Sequence, residues 1–291
     1  MLKLKNVALN YYSKNGETMA LKDVSFKIND GELISIVGPS GCGKTTILSL
    51  ISGLIKPTNG EVLINNEPVK SQFCGYMFQK DHLFDWRTIE KNILLGLEVR
   101  KYKNKYGVKN IKSSHFKDRL KQKNEQFNLD KEYALSLLKK YGLWEFKDKY
   151  PNQLSGGMRQ RVSLIRTLAL KPEIMLLDEP FSALDFQTRL NLCDDVYKIL
   201  KSENKTAVLV THDISEAISM SDRIIVLSKR PAVVKNEHKI SLKAETPLKR
   251  REETGFNVYF NEIWKELTWR KILILNQLKK SQFVQKNMQH I

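Results

Sequence analysis

The chain has 291 residues, of which 41% are hydrophobic and 28% charged, with 49 Lys and Arg against 32 Asp and Glu for a formal net charge of +17. That is enough to bury the core of one large domain or two small ones, and no run approaches the ~18 apolar residues of a transmembrane helix. The excess charge is confined to residues 100–123 (ten Lys/Arg, one Asp) and 229–291 (fourteen Lys/Arg, six Glu), while the remainder carries 25 basic and 25 acidic residues, which argues against a core built to bind nucleic acid and leaves a solvated surface, anionic lipid or an acidic partner as counterparts of the two basic segments.

In chain order, the N-terminal Met1-Leu2-Lys3-Leu4-Lys5 alternates in character and lacks a signal-peptide core, so a soluble, cytoplasmic chain is expected. Residues 2–9 and 21–28 alternate apolar and polar, as edge strands do. Leu33–Val37 is a short apolar strand running into Gly38. A helix is predicted over 44–52, ending near Gly53, and Pro57-Thr58-Asn59-Gly60 forms a turn before a strand at 61–64. Tyr133, Leu137, Leu138 and Tyr141 recur at helical spacing within 132–141, closed by Gly142. Ser155 is placed to cap a helix running to about Leu170. Residues 174–178 and 206–211 read as buried strands with a helix between them, and 223–227 as a further strand. Beyond about 231 the tail holds a helical stretch, roughly 257–280. Strands alternating with helices predict an α/β fold with a mostly parallel sheet covered on both faces. The three cysteines, Cys42, Cys74 and Cys193, match neither a disulfide framework nor a zinc cluster.

Two segments carry chemistry. Gly38-Pro39-Ser40-Gly41-Cys42-Gly43-Lys44-Thr45 fits the P-loop pattern and has the required strand before it and helix after it. Its glycines let the backbone curl so that N–H groups converge on phosphate, and the helix N-terminus adds partial positive charge. Lys44 would reach the β- and γ-phosphates, and the Thr45 hydroxyl could ligate Mg²⁺. Cys42 reads as a small filler, because nucleotide hydrolysis here needs no covalent step. The second segment, Ile174-Met175-Leu176-Leu177-Asp178-Glu179, ends an apolar strand in two acids at the carboxyl edge of the sheet. Asp178 would help hold Mg²⁺, and Glu179 would act as general base on the attacking water.

Together with Gln79, the segment Leu154-Ser155-Gly156-Gly157-Met158-Arg159-Gln160-Arg161, Ser182-Ala183-Leu184-Asp185 and His212, these motifs resemble, in order and approximate spacing, the nucleotide-binding subunits of ABC transporters over roughly residues 1–230. The resemblance implies a P-loop NTPase (RecA-like) core with an antiparallel β subdomain, an α-helical subdomain inserted at about 87–165, and a helical C-terminal extension over 231–291. It implies ATP and Mg²⁺ as ligands, with Gln79 sensing the γ-phosphate and metal and touching a transmembrane partner. Ser155, Gly156 and Gly157 would grip the ATP bound to an opposing chain, Asp185 would join the two sites, and His212 would contact the γ-phosphate. Thr46 joins the phosphate-loop residues in the nucleotide-binding set, and Tyr11 (or Tyr12) sits where the family stacks an aromatic ring on adenine.

A narrower resemblance rests on Gln79-Lys80-Asp81, Leu83-Phe84-Asp85-Trp86-Arg87-Thr88 and Leu184-Asp185-Phe186-Gln187-Thr188-Arg189, which are similar to the ATPases of nitrate/sulfonate/taurine-type importers. Those usually carry proline before the tryptophan, where this chain has Asp85, and the basic segment ahead of the signature is unusually long. Phe84 and Trp86 read either as docking residues or as core aromatics. The resemblance implies a second ATPase subunit, in the simplest case an identical one, transmembrane permease subunits, an extracytoplasmic solute-binding protein, and a peripheral location on the cytoplasmic face of the membrane. The alternatives are the ATPase of an exporter, against which the 186–189 segment argues, and a non-transport ABC ATPase, which the single cassette and the absence of sustained heptads disfavour.

Overall fold

The computed structural model describes residues 1–14, 16–70, 73–106 and 116–268. Residues 107–115 of the basic segment and 269–280 of the expected tail helix lie outside the described residues. Strands β1 (Leu2–Ser13), β2 (Gly16–Ile28), β4 (Asn59–Ile64) and β5 (Glu67–Pro68) are antiparallel neighbours. Strands β3 (Leu33–Val37), β6 (Cys74–Met77), β7 (Ile174–Asp178), β8 (Thr206–Val210) and β9 (Arg223–Leu227) are parallel neighbours. With β10 (Ala232–Lys239) they make one ten-stranded sheet in the order β5-β4-β1-β2-β10-β9-β3-β8-β7-β6.

The parallel strands are apolar at nearly every position because helices cover both faces. All five residues of β3 and of β8 are buried. Helix α1 (Lys44–Ile51) packs on one face together with β1, β2 and β4, around Leu2, Leu21, Ile34, Ile47 and Val208. On the other side, α2 (Ile89–Tyr106), α3 (Phe116–Lys140), α4 (Gly156–Leu168) and α5 (Phe186–Ser202) share a second cluster that includes Ile93, Leu138, Leu164 and Val196. A third cluster joins α6 (Ile214–Met220) and β9 to Phe256 and Ile263 on α8, a helix over 256–268. A short α7 (Pro247–Arg250), capped by Thr246, precedes it.

Several elements differ from the sequence-based expectation in extent or place. The strands expected at edges over 2–9 and 21–28 are interior ones, β1 between β4 and β2 and β2 between β1 and β10, and they extend to Ser13 and back to Gly16; their alternation reflects one buried and one solvated face, which an interior antiparallel strand shares with an edge strand. The helix expected at 132–141 begins at Phe116, because its first half is so polar that no apolar period marks it. Residues 232–239, expected in an extension beyond a boundary at 230, form a strand inside the sheet, parallel to β2 and antiparallel to β9. The run of polar residues from Lys235 to Lys239, including His238 packed against Glu262 and Glu266, hides the strand pattern.

The α3 end of the helical insertion is tied to α5 by one carboxylate. Glu203 accepts hydrogen bonds from Tyr133 (3.0 Å), Tyr141 (2.8 Å) and Lys140 (2.6 Å). Burial alone would raise its pKa, but the hydrogen bonds from Lys140, Tyr141 and Tyr133 outweigh it and hold Glu203 below the ordinary glutamate value. A depressed folded pKa stabilises the fold fully above the unfolded value, and that contribution is lost as pH falls through the folded value. Glu203→Gln is therefore expected to cost about 1–3 kcal/mol at neutral pH. The gap from wild type in urea-unfolding midpoint should be full above the ordinary glutamate value of 4.5 and close as pH falls below it; a gap that does not depend on pH would show the carboxylate charge to be irrelevant there.

Candidate active site

The phosphate-binding loop leaves β3 at Gly38 and enters α1 at Lys44. Gly41 (φ 70°) and Gly43 (φ 116°) take left-handed conformations that side-chain-bearing residues rarely adopt. A Cβ at Gly43 would stand 2.9 Å from Leu21 Cδ2, and one at Gly38 would stand 2.8 Å from Cys42 Sγ and 3.1 Å from Leu227 Cβ. The loop is thus pressed against β2 and β9 along its outer side. Gly43 caps α1 without a side-chain hydrogen bond, so the first-turn N–H groups are left for an anion. Lys44 is nearly buried and its Nζ lies back over the loop, donating to the carbonyls of Gly38 (2.9 Å) and Pro39 (3.2 Å). These features fit a phosphate group held by backbone and one ammonium. Cys42 is buried, and burial raises its thiol pKa, consistent with a filler that stays protonated.

The carboxylates stand at the adjacent strand ends. Asp178 closes β7, and its Oδ1 accepts from Thr45 Oγ1 at 3.2 Å while Oδ2 accepts from the Tyr76 hydroxyl at 2.9 Å. Burial is the main influence on Asp178 and raises its pKa. Glu179 leaves the strand in a left-handed conformation (φ 46°), with its N–H held by the Val210 carbonyl at 2.8 Å. A non-glycine residue at such a φ is uncommon and persists where surrounding contacts impose it. The turn aims the Glu179 carboxylate at His212, whose Nδ1 is 3.2 Å from Oε2. His212 follows β8, and its neighbour Thr211 donates to the buried Glu216 at 2.7 Å.

Gln79 follows β6 and donates through Nε2 to Ser182 Oγ at 2.9 Å; Ser182 in turn donates to the Glu179 carbonyl at 3.0 Å. The Gln79 carbonyl accepts from Gln160 on α4 at 3.3 Å. One short chain of contacts therefore runs from α4 through Gln79 and Ser182 to Glu179. Asp185 caps α5 by accepting from Thr188 N–H at 3.0 Å, and these hydrogen bonds lower its pKa. Arg189 links that helix start to the histidine segment, donating to the Leu184 carbonyl (3.0 Å) and facing Asp213 and Glu216 at 3.8 Å each.

Of the two tyrosines at the end of β1, Tyr11 is the one at the loop: its hydroxyl is 3.2 Å from Thr46 Oγ1 on α1. Tyr12 is 73% exposed and pairs with Glu17 in the hairpin. Ser155 caps α4, its side chain accepting from Met158 N–H at 3.3 Å. Gly156 and Gly157 lie under Leu184 and Thr188, where a Cβ would come within 3.1 Å of each. Arg159 braces this turn through Asp81 (3.0 Å) and the Leu154 carbonyl (3.0 Å). Among the described residues, no hydrogen bond or ion pair joins 155–157 to 38–46. The residues the structure brings together are thus Lys44, Thr45, Asp178, Glu179, His212 and Gln79, with Tyr11 at the rim; Ser155, Gly156 and Gly157 stand apart on their own helix. Sequence reasoning missed Tyr76, because β6 is only four residues long and carries no motif of its own.

A sequence model described as ABC transporter matches residues 21–182, and the chain belongs to this family as an ATP-binding ATPase subunit. It is 46% identical over 270 residues to the uncharacterized ABC transporter ATP-binding protein YtlC of Bacillus subtilis, covering 91% of this chain and 95% of that one. It is 35% identical over 243 residues to the taurine import ATP-binding protein TauB of Roseobacter denitrificans, covering 82% of each. Among solved structures it is similar to the post-hydrolysis dimer of the ATP-binding cassette MJ0796 bound to ADP and Pi. The two are 34% identical with a TM-score of 0.62, over 83% of this chain and 99% of that one.

Proposed function

We propose that this chain is the ATP-hydrolysing subunit of a membrane importer, that it works as a pair with a second ATPase chain, and that it sits on the cytoplasmic face of the membrane against permease subunits. The observation that carries this reading is the separation of two half-sites: P-loop, carboxylates and His212 in one place, Ser155–Gly157 in another. Each half is complete locally and lacks the other's groups. Two copies facing each other supply both halves twice, and MJ0796 forms dimers in its ADP- and Pi-bound structure.

In each site, Gly38, Pro39, Ser40, Gly41, Cys42 and Gly43 wrap the phosphates, and the Lys44 ammonium exchanges its two loop carbonyls for β- and γ-phosphate oxygens. Tyr11 stacks on adenine, and Thr46 lies beside it. Thr45, Asp178 and Gln79 are the residues that would hold Mg²⁺, which supplies charge neutralisation on the phosphates when bound. Glu179 accepts the proton of the attacking water, and His212 holds that carboxylate's orientation and meets the γ-phosphate. Ser155, Gly156 and Gly157 present a helix N-terminus to the opposite chain's nucleotide, and Asp185 lies where the two sites meet. Closure thus depends on ATP at both sites, and hydrolysis releases it.

Import, with a small anion such as a sulfonate or nitrate as cargo, is supported by the similarity to TauB and by the Leu83–Thr88 and Phe186–Arg189 segments. No helix among the described residues is long and apolar enough to cross a membrane. Trp86 is 75% exposed and pairs with Phe84 at 4.8 Å, close in sequence to Gln79, which suits docking on a permease. A solute-binding protein outside the membrane completes the system. The test is reconstitution of this chain with its permease and binding protein in liposomes. ATP-dependent uptake of a sulfonate or nitrate, lost with Lys44→Ala, is expected; ATP-driven movement only in the outward direction would overturn the import reading.

A further inference from the structure

Tyr76 lies on β6 three residues before Gln79 and is half-buried. The parallel register sets it beside Leu176 of β7, two residues short of Asp178. Its hydroxyl reaches Asp178 Oδ2 at 2.9 Å while Thr45 reaches Oδ1 at 3.2 Å. Both oxygens of one carboxylate are thereby held by separate donors on separate strands or helices, so the group cannot rotate about its Cβ–Cγ bond without breaking both. The tyrosine ring is held in turn: Phe78 packs on it at 4.4 Å with a 32° tilt, and His82 meets the edge of Phe78 at 5.3 Å. Arg166 donates to the carbonyls of both His82 and Asp81 at 2.7 Å, which fixes that end of the segment to α4.

Packing alone does not call for the hydroxyl. A phenylalanine would fill the same space and make the same ring contact, and burying a phenol without a partner is costly. The one acceptor that justifies it is Asp178. We infer that Tyr76 is a positioning residue for the metal-associated carboxylate: it holds Asp178 turned toward Thr45, and it makes that orientation depend on the segment running from Phe78 to His82. The inference rests on the reading of Asp178 as a Mg²⁺ residue. It also gives a physical link between the region around Gln79, where a permease would dock, and the metal site: a shift of Phe78 moves the tyrosine ring, and the ring moves the carboxylate.

The test uses the full chain carrying Glu179→Gln, so that turnover does not intervene, and reads binding of a fluorescent ATP analogue against free Mg²⁺, with Mn²⁺ resonance spectroscopy on the same complex. Adding Tyr76→Phe is expected to raise the metal concentration for half-saturation about tenfold. It should leave metal-free nucleotide binding and the unfolding temperature nearly unchanged. An unaltered metal dependence would overturn the inference, as would a fall in unfolding temperature with no change in metal affinity, since that is what a purely structural tyrosine gives. Asp178→Asn run in parallel separates the two readings. If it too leaves the metal dependence intact, the assignment of Asp178 fails and the role of Tyr76 falls with it; if it abolishes the dependence while Tyr76→Phe does nothing, only Tyr76 is refuted.

Discussion

Glu179→Gln is expected to lower ATP turnover by about 10²–10⁴-fold and to accumulate a dimer with ATP bound at both sites. The substitution keeps size and hydrogen-bonding reach, so the contact with His212 (3.2 Å) and the left-handed backbone at φ 46° are retained. What is removed is the capacity to accept a proton from water. On the proposed reading, binding depends on Lys44 and the loop and should continue, so the closed state is expected to form and not be resolved. Phosphate release measures the first effect, and light scattering with ATP and Mg²⁺ present measures the second. Turnover at the wild-type rate would eliminate Glu179 as the base. Loss of turnover without dimer would place the carboxylate's role in assembly instead.

Ser155→Arg is expected to abolish hydrolysis while leaving ATP binding to the single chain unchanged. Loss of the cap to Met158 N–H costs about 1 kcal/mol, too little to unfold a chain with three hydrophobic clusters. In the proposed two-chain site the bulk and charge instead fall where the facing chain's nucleotide would approach, beside Gly156 and Gly157, where a Cβ would already stand 3.1 Å from Leu184 and Thr188. A mixing experiment makes the prediction sharper. A chain with Ser155→Arg keeps its P-loop, and a chain with Lys44→Ala keeps its signature helix. In a mixed dimer these two meet at one site. Activity in the mixture, with none in either chain alone, is the result only a shared site gives; residual full activity in Ser155→Arg alone would remove the two-chain site altogether.

How much of this was legible beforehand follows from where the physics leaves marks in the sequence. Strands buried on both faces must be apolar throughout, so β3, β7 and β8 stand out as runs, and the strand–loop–helix frame of the P-loop could be placed from Leu33 to Ile51. The glycines at 41 and 43 are there because the backbone needs positive φ, and they announce the loop. Ser155 announces a helix start for the same kind of reason, since its side chain completes a backbone donor; Asp185 does so as well, but that cap was not read from the sequence. The remainder depended on tertiary pairing. β6 is four residues long, and β10 is polar without alternation from Lys235 to Lys239, so neither carries a pattern strong enough to read. Tyr76 belongs to no motif, and its importance comes from a neighbour 102 residues away in the chain. The positive φ at Glu179 was equally silent: Pro180 after it marks the end of the strand, but a residue before proline is expected in the extended region, not at φ 46°.

The place of β10 has a consequence for the order in which the molecule can be completed. Among the described residues, the antiparallel and parallel strands are joined by strand pairing through it, with β2 on one side and β9 on the other. The residues proposed to bind nucleotide all precede residue 213, yet the hydrogen-bonded seam that makes one sheet of two halves is encoded at 232–239. In synthesis from the N-terminus, the two halves of the sheet therefore cannot be joined by strand pairing until that strand has been made. The residues proposed for catalysis are translated earlier; the strand that joins the two halves of their framework comes late.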